Sequence, residues 1–392
     1  MALTVNTLTN LMPTLYKAFN VVSREMVGFM PAVTLDASAE RYAVNQVIRS
    51  TEVGAQTPED GAATMTLPNP SGQTIGNKTL QITKDRSVLI PITGEEIAQL
   101  ANGGPGINVV KQNFIQESIR SLVNEMEEFI GALSIYASRA GIINDTTLFK
   151  TDLKDLISLR QILNENGANG DRQLVLSDAD AAALLGLTQL TKVNEAGTPS
   201  FVRQGIFAEL FGFQIRESGG VNRPAIGTSN NAGTVGTAAY AVGATTLTLA
   251  SAGTGTIVDG DVITLTGDTN QYVVLTGDTN IANGGTIVLQ DPGLKVAIAE
   301  NASPTITVKT KGYRSMAFPR SAIVLATRLP KMPDVGPFGD AAVDAATITD
   351  PNSGISFDLR VYAGRRMIAL EVAICYGAAV MKEEHLAVTL GL

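Results

Sequence analysis

A chain of 392 residues is too long for one small core and is sized for two or three domains, and its 44% hydrophobic and 17% charged residues describe a folded protein sparing in surface charge. A net charge of -8 and a pI near 4.9 exclude a dedicated nucleic-acid binder, because a phosphate-neutralising surface needs an excess of Lys and Arg. The single cysteine, Cys375, excludes an internal disulfide, and the single histidine, His385, excludes a His-rich metal site.

The N-terminus MALTVNTLTN lacks the basic and apolar regions of a signal peptide, and no apolar run reaches membrane-spanning length. Folding in a reducing cytoplasm is the expectation, and the sequons at Asn77, Asn144 and Asn301 are read as chance. Leu8, Leu11, Leu15, Phe19, Val22 and Met26 share one helical face, which predicts a helix starting near Pro13. It suits a core helix or an arm laid over a neighbour, and the sequence leaves both open.

Arg41 to Arg49 alternates loosely, and Lys78 to Ile92 alternates clearly, with Leu80, Ile82, Val88, Ile90 and Ile92 on one side and Lys84 and Arg86 interrupting it. About 28 residues rich in Gly, Pro, Thr and Asn separate the two strands, so a long hairpin is predicted whose tip has too little apolar content to bury itself. Such a tip is either loose or held from outside; Glu59, Asp60, Lys84 and Arg86 are then either solvated charges or contacts to a neighbour.

Ile115, Ile119, Leu122, Met126, Phe129, Leu133 and Tyr136 recur at steps of four and three, predicting a long amphipathic helix within Pro105–Gly141 with Gly141 as its stop. Helical throughout, it would span about 50 Å. A second helix is predicted over Thr151–Leu163, stopped by NENGANGD. Then come a buried strand in RQLVLSD, a helix in DADAAALLGL capped by Ser177 or Asp178, and a strand in FGFQIRES. From about Thr228 the composition shifts to short Val, Ile, Leu and Thr strands cut by Gly, Asn and Asp, with LTGDTN at Leu265 and again at Leu275, which predicts a small barrel or sandwich. Asp268 and Asp278 lack the pattern of a calcium loop, so paired turns are expected. After Thr310 the charge returns; ISFDLRVYAG and RRMIALEVAICYGAAV read as strands, with a solvated basic hairpin tip at Arg365-Arg366. The class is α+β: one domain interrupted by an all-β insertion.

No chemistry-bearing motif is present. Gly76-Asn-Lys-Thr and Gly103-Gly-Pro-Gly lack the rest of a phosphate loop, and Glu95-Glu96, Glu127-Glu128 and Glu383-Glu384 read as solvated charge. Cys375 reads as a buried small hydrophobe and His385 as a surface residue. No catalytic residue, cofactor or metal is expected.

A helical arm, a long hairpin, a long central helix and an α/β body interrupted by a β insertion together resemble the major capsid proteins of tailed bacteriophages, of the Hong Kong ninety-seven type, and within them the podovirus coat proteins carrying an inserted β-barrel. MAFPRSAIVLATRLP and Ala373-Ile-Cys-Tyr-Gly-Ala followed by Glu383 and Glu384 are similar to that family's closing segments. The resemblance implies an arm (1–40), an extended loop (41–93), a peripheral domain with the spine helix (94–150), an apical domain (151–227), an inserted barrel (228–311) and the remainder of both domains (312–392). It implies a structural subunit, not an enzyme, that associates with copies of itself as hexamers and pentamers in an icosahedral shell assembled in the bacterial cytoplasm. A scaffolding protein, a portal and packaged DNA bound without sequence specificity are the implied partners, with no membrane, and Glu59, Asp60, Lys84 and Arg86 are the implied inter-subunit contacts. The family's crosslinking lysine and asparagine are matched by Lys78, Lys84 and Asn352 only in location, so crosslinking is not expected. Two other readings stay open: a bacterial nanocompartment shell of the same fold, and a β-rich adhesin or tail component.

Overall fold

The structure, a computed structural model, describes residues 27–53, 75–101, 107–141, 148–149, 152–187, 190, 209–229, 233–309, 312–333, 342–349 and 354–391. The helix expected from Pro13, and Glu59, Asp60 and Asn352, lie outside them. Among the described residues the α-helices are α1 (Gly94–Ala101), α2 (Ile107–Gly131), α3 (Lys154–Glu165) and α4 (Asp178–Leu185).

The first sheet is built on one 14-residue strand, Met367–Val380. It pairs antiparallel with Ile323–Pro330, Ser356–Gly364 and Lys84–Thr93; Thr34–Tyr42 runs parallel to Ile323–Pro330, and Ala342–Thr349 adds to Ser356–Gly364. Arg365 and Arg366 form the exposed two-residue turn between the hairpin strands, as their position between two β-patterned runs predicts. On α2, Ile115, Ile119, Leu122, Met126 and Ile130 are buried in the same core as Leu359, Val372 and Ile374 of this sheet, so the 3.6-residue period of the helix meets the two-residue period of the strands.

The helix does not run to Gly141. It ends at Gly131, about 37 Å long at 1.5 Å per residue, and passes into a 3-10 turn, Ala132–Tyr136, and a short strand, Arg139–Ala140. Two long-range constraints stop it. A Cβ on Gly131 would lie 2.0 Å from the Gly220 carbonyl oxygen, so the chain crosses another backbone there with no side chain between. Beyond it, Arg139–Ala140 is held on one side by Gln271–Tyr272 and on the other by Ala387–Val388. Leu133 and Tyr136 keep the apolar spacing because residues three apart also share a face of a 3-10 turn.

The second sheet orders Phe213–Glu217, Arg172–Leu176, Met316–Pro319, Ala387–Val388 and Arg139–Ala140. Arg172–Leu176 is wholly buried. The helices beside it start and stop where local chemistry dictates. The Ser177 Oγ accepts the Asp180 N–H at the head of α4. After α3, Gly167 takes a φ of 71° and the Ala168 N–H reaches back to the Leu163 carbonyl at 2.8 Å.

Residues 233–309 form a ring of six short antiparallel strands: Gly233–Thr234, Thr305–Lys309, Val262–Leu265, Gln271–Thr276, Gly285–Leu289 and Thr246–Leu249, closed by the Val235–Leu249 bridge. Their alternating side chains fill a core of their own, including Leu247, Ile263, Val274, Ile287 and Ile306. Both LTGDTN copies are connections between antiparallel neighbours. The Asp268 Oδ1 accepts the Asn270 N–H at 2.9 Å and the Asp278 Oδ1 accepts the Asn280 N–H at 2.7 Å. The ring is fastened to the 3-10 turn that follows α2: the Gln290 amide donates to the Ile135 carbonyl at 3.1 Å, and Gly260, at φ 84°, leaves room for Ile135. Arg314, 2% exposed, donates to the Gly260 carbonyl, and burial pushes its pKa down to about 10.

Gly131→Ala and Gly220→Ala each force two backbones apart, so each is expected to lower stability by at least about 1–3 kcal/mol, read from urea midpoints. Gly167→Ala, with open space around its Cβ position, carries only the strain of its positive φ and is expected to lose less.

Candidate inter-subunit surface

Val47–Val53 and Ile75–Gln81 pair antiparallel from Val47–Gln81 to Val53–Ile75 as a two-stranded ribbon outside both sheets. The alternating run from Lys78 to Ile92 is divided at Ile82–Thr83, its first part in the ribbon and its second in the first sheet. The division follows from Gly377: a Cβ there would lie 2.1 Å from the Gln81 carbonyl oxygen, so the ribbon's base is seated directly on the long strand. The Ile82 N–H donates to Gln46, the Asn45 N–H donates to Ile82, and Leu80 and Ile82 are buried at 2% and 0% exposure. Lys78 reaches Glu383 at 3.4 Å. A two-stranded ribbon is marginal by itself in water, so this base is what holds it.

Lys84 and Arg86 face α2. The Lys84 ammonium lies 6.0 Å from the centre of the Phe129 ring, and the Arg86 Nε donates to the Glu125 Oε1 at 2.6 Å. The two helix residues are one turn apart, matching the two-residue step along the strand. Both cations are thus engaged within the chain, which the sequence could not specify because Glu125 and Phe129 are 39 and 45 positions away. Beside them a cavity of about 520 Å³ is walled by Phe129, Leu133, Tyr136, Val380, Lys84 and Glu383.

The residue that sequence reasoning missed is Glu127. Read as solvated, it is 3% exposed, whereas Glu128 is exposed. Its Oε2 accepts the Gly28 N–H at 3.2 Å, the Phe29 N–H at 2.9 Å and the Ser218 hydroxyl at 2.6 Å, and its Oε1 accepts the Met30 N–H at 2.7 Å. Burial pushes its carboxyl up from the usual range, while the hydroxyl and the three N–H groups oppose that shift. A signal was available: Val123 and Ile130, four before and three after, place Glu127 inside the apolar stripe. A second buried acid, Asp358 at 1% exposure, takes both ends of the Arg41 guanidinium at 3.0 and 3.1 Å and the Arg360 Nε at 2.7 Å, tying the first strand after the arm to the hairpin.

Cys375 is buried and burial pushes its thiol up to about 12, leaving a small neutral hydrophobe. His385 is half-buried in the turn Glu383–His385 rather than on the open surface, and burial holds it below the ordinary imidazole range. Among the described residues no group of three or more His, Cys, Asp or Glu side chains could hold a metal, and no helix is long and apolar enough to cross a membrane.

Glu127→Gln keeps the shape but turns one acceptor into a donor among donors. About 1–3 kcal/mol is expected to be lost for each backbone N–H left without an acceptor, seen as a lower urea midpoint, while Glu128→Gln should stay within about 0.5 kcal/mol of the parent.

No family model and no curated protein sequence matches the chain. Among solved structures, the chain is similar to a capsid chain of the cyanophage P-SCSP1u, at 9% identity over 92% of this chain and 86% of that one with a TM-score of 0.48. It is similar to a chain of the mature capsid of bacteriophage PhiM1, at 11% identity over 93% and 86% with a TM-score of 0.45. It is also similar to the virus-like particle from Pyrococcus furiosus, at 8% identity over 96% and 98% with a TM-score of 0.44.

Proposed function

We propose that this chain is a structural shell subunit, a major capsid protein that associates with copies of itself into a closed icosahedral container for double-stranded DNA. The observation that carries the reading is the ribbon. Its base is fixed by Gly377, Ile82 and the Gln46–Ile82 bonds, while its two strands pair with each other and with no other strand among the described residues. A rigidly rooted ribbon with two free edges suits backbone pairing with, or burial against, an adjacent copy. Each such contact is weak, and a closed shell repeats it many times, so assembly is cooperative without one tight interface.

Glu59 and Asp60, between the two ribbon strands in sequence, with Lys84 and Arg86 at the ribbon's root, are proposed as inter-subunit contacts; the root pair would act by holding the strand on α2. Hexamers and pentamers of the chain, a scaffolding protein and a portal complete the proposed assembly, in the cytoplasm of a bacterial host. The acidic balance of the chain suits a container from which DNA must slide free. A nanocompartment shell would use the same self-association and differ in its contents.

Electron microscopy tests this. A chain lacking residues 50–77 is expected to remain soluble and to give no shells where the full chain gives closed particles; normal particles from it would remove the ribbon from assembly. Nucleic acid within the full-length particles supports a capsid, and a protein cargo supports a nanocompartment. Replacing residues 228–311 with a short flexible link is expected to lower the melting temperature, because Ile135 and Arg139 lose their partners across the ring; an unchanged melting curve would mark the ring as a mere ornament.

A further inference from the structure

The exposed apolar side chains of the described residues mostly lie flat on strands or helices, as Leu89, Val343 and Phe114 do. Phe211 does not. It shares with Gly212 the two-residue turn that joins Glu209–Leu210 to Phe213–Glu217 at the edge of the second sheet. Both turn residues have a positive φ, 50° for Phe211 and 79° for Gly212, which a tight hairpin requires and Asn-Gly supplies most readily. An aromatic residue at the first position bears strain that an asparagine there would largely escape. Burial gives little back, because Phe211 is 39% exposed. Nothing lies within 4 Å of where a Gly212 Cβ would be, so the turn projects. Val44 and Val242, also exposed on turns, are smaller and have no positive φ.

The turn is braced and flanked by charge. The exposed Arg160 of α3 donates to the Phe211 carbonyl at 3.2 Å, and Ile157, one helical turn earlier on the same face, is also exposed. Leu210 packs against the core, so the exposed Glu209 before it belongs to the opposite face of the sheet. An aromatic ring thus stands between a cation and an anion. The cavity beside the ribbon's root has the converse form. Phe129, Leu133, Tyr136 and Val380 wall about 520 Å³, and Lys84 and Glu383 supply one charge of each sign to its lining. That is room for a phenyl ring and the turn that carries it.

We propose that the Phe211 turn of one copy of this chain enters the cavity between Phe129, Tyr136 and Val380 of a second copy. The proposal rests on the container reading and names the two surfaces by which one copy meets the next. Glu209 then meets Lys84, and Arg160 meets Glu383, so the charges around the ring match those around the cavity. A second copy is favoured over a free apolar acid or amine, which would leave one of the two lining charges unmatched. An aromatic anchor seated in a pocket is the arrangement that carries most of the energy of a protein interface. Turn and cavity lie on different parts of the chain, so each copy offers one and accepts the other, and such head-to-tail contacts build rings.

The test is photocrosslinking in assembled particles, with p-benzoylphenylalanine in place of Phe211 in full chains co-assembled with isotope-labelled parent chain. Crosslinks to labelled peptides containing residues 129–136 or 378–383 are expected. Crosslinks only elsewhere, residues 1–26 of a labelled copy included, overturn the assignment, and so do crosslinks confined to the unlabelled chain. F211N gives a second readout. Asparagine suits the turn, so the urea midpoint of F211N is expected to equal or exceed that of the parent, while the chain concentration for half-assembly rises about tenfold or more. Assembly of F211N at the parent's concentration overturns the contact, and the crosslinks decide whatever the midpoint proves to be. Parent particles without the expected crosslinks sink the contact alone; no particles from the parent chain would sink the container reading by itself.

Discussion

Three remote parts of the chain meet on one buried carboxylate. Glu127 binds three successive backbone N–H groups of residues 28–30 and the Ser218 hydroxyl, so a single side chain joins the start of the described chain, the central helix and the end of the Phe213–Glu217 strand. The interaction is local in space and remote in sequence, spanning 97 to 99 positions to the arm and 91 to Ser218. Close backbone crossings around it require glycine: a Cβ on Gly28 would lie 2.4 Å from the Glu217 carbonyl oxygen, and one on Gly220 would lie 2.6 Å from the Glu127 carbonyl carbon. The acid sets the direction in which the chain leaves the helix, and the glycines set how near it can pass.

What the sequence makes legible is what short-range chemistry decides. The Ser177 cap, the Gly167 stop and the Arg365-Arg366 turn each follow from two to five neighbouring residues, and the ribbon pairing follows from two alternating runs either side of a polar stretch. The changes of composition near Thr228 and Thr310 bracket a ring of strands with its own core because a module that fills its interior with Val, Ile and Leu and turns on Gly, Asn and Asp has little use for Lys or Arg.

The illegible features are decided by contacts made far along the chain. Apolar spacing carries on past Gly131, so nothing nearby reveals that a backbone 89 positions later ends the helix there. The alternation from Lys78 to Ile92 keeps one phase across Lys84 and Arg86, and Gly377 divides it between the ribbon and the first sheet. Glu127 beside Glu128 looks like one of many solvated pairs until its place in the apolar stripe is weighed above its charge. Lys84 and Arg86, read as solvated charges or as contacts to a neighbour, meet Phe129 and Glu125 of α2 within the same chain.

The closure of the six-stranded ring at Val235–Leu249 has a consequence for crowding. An unpaired strand border invites edge-to-edge growth between copies, and the ribbon keeps two such borders among the described residues. A ring has no such border. Its loops can lengthen, shorten or change sequence without opening a strand border, provided the Gln271–Tyr272 pairing to Arg139–Ala140 is kept.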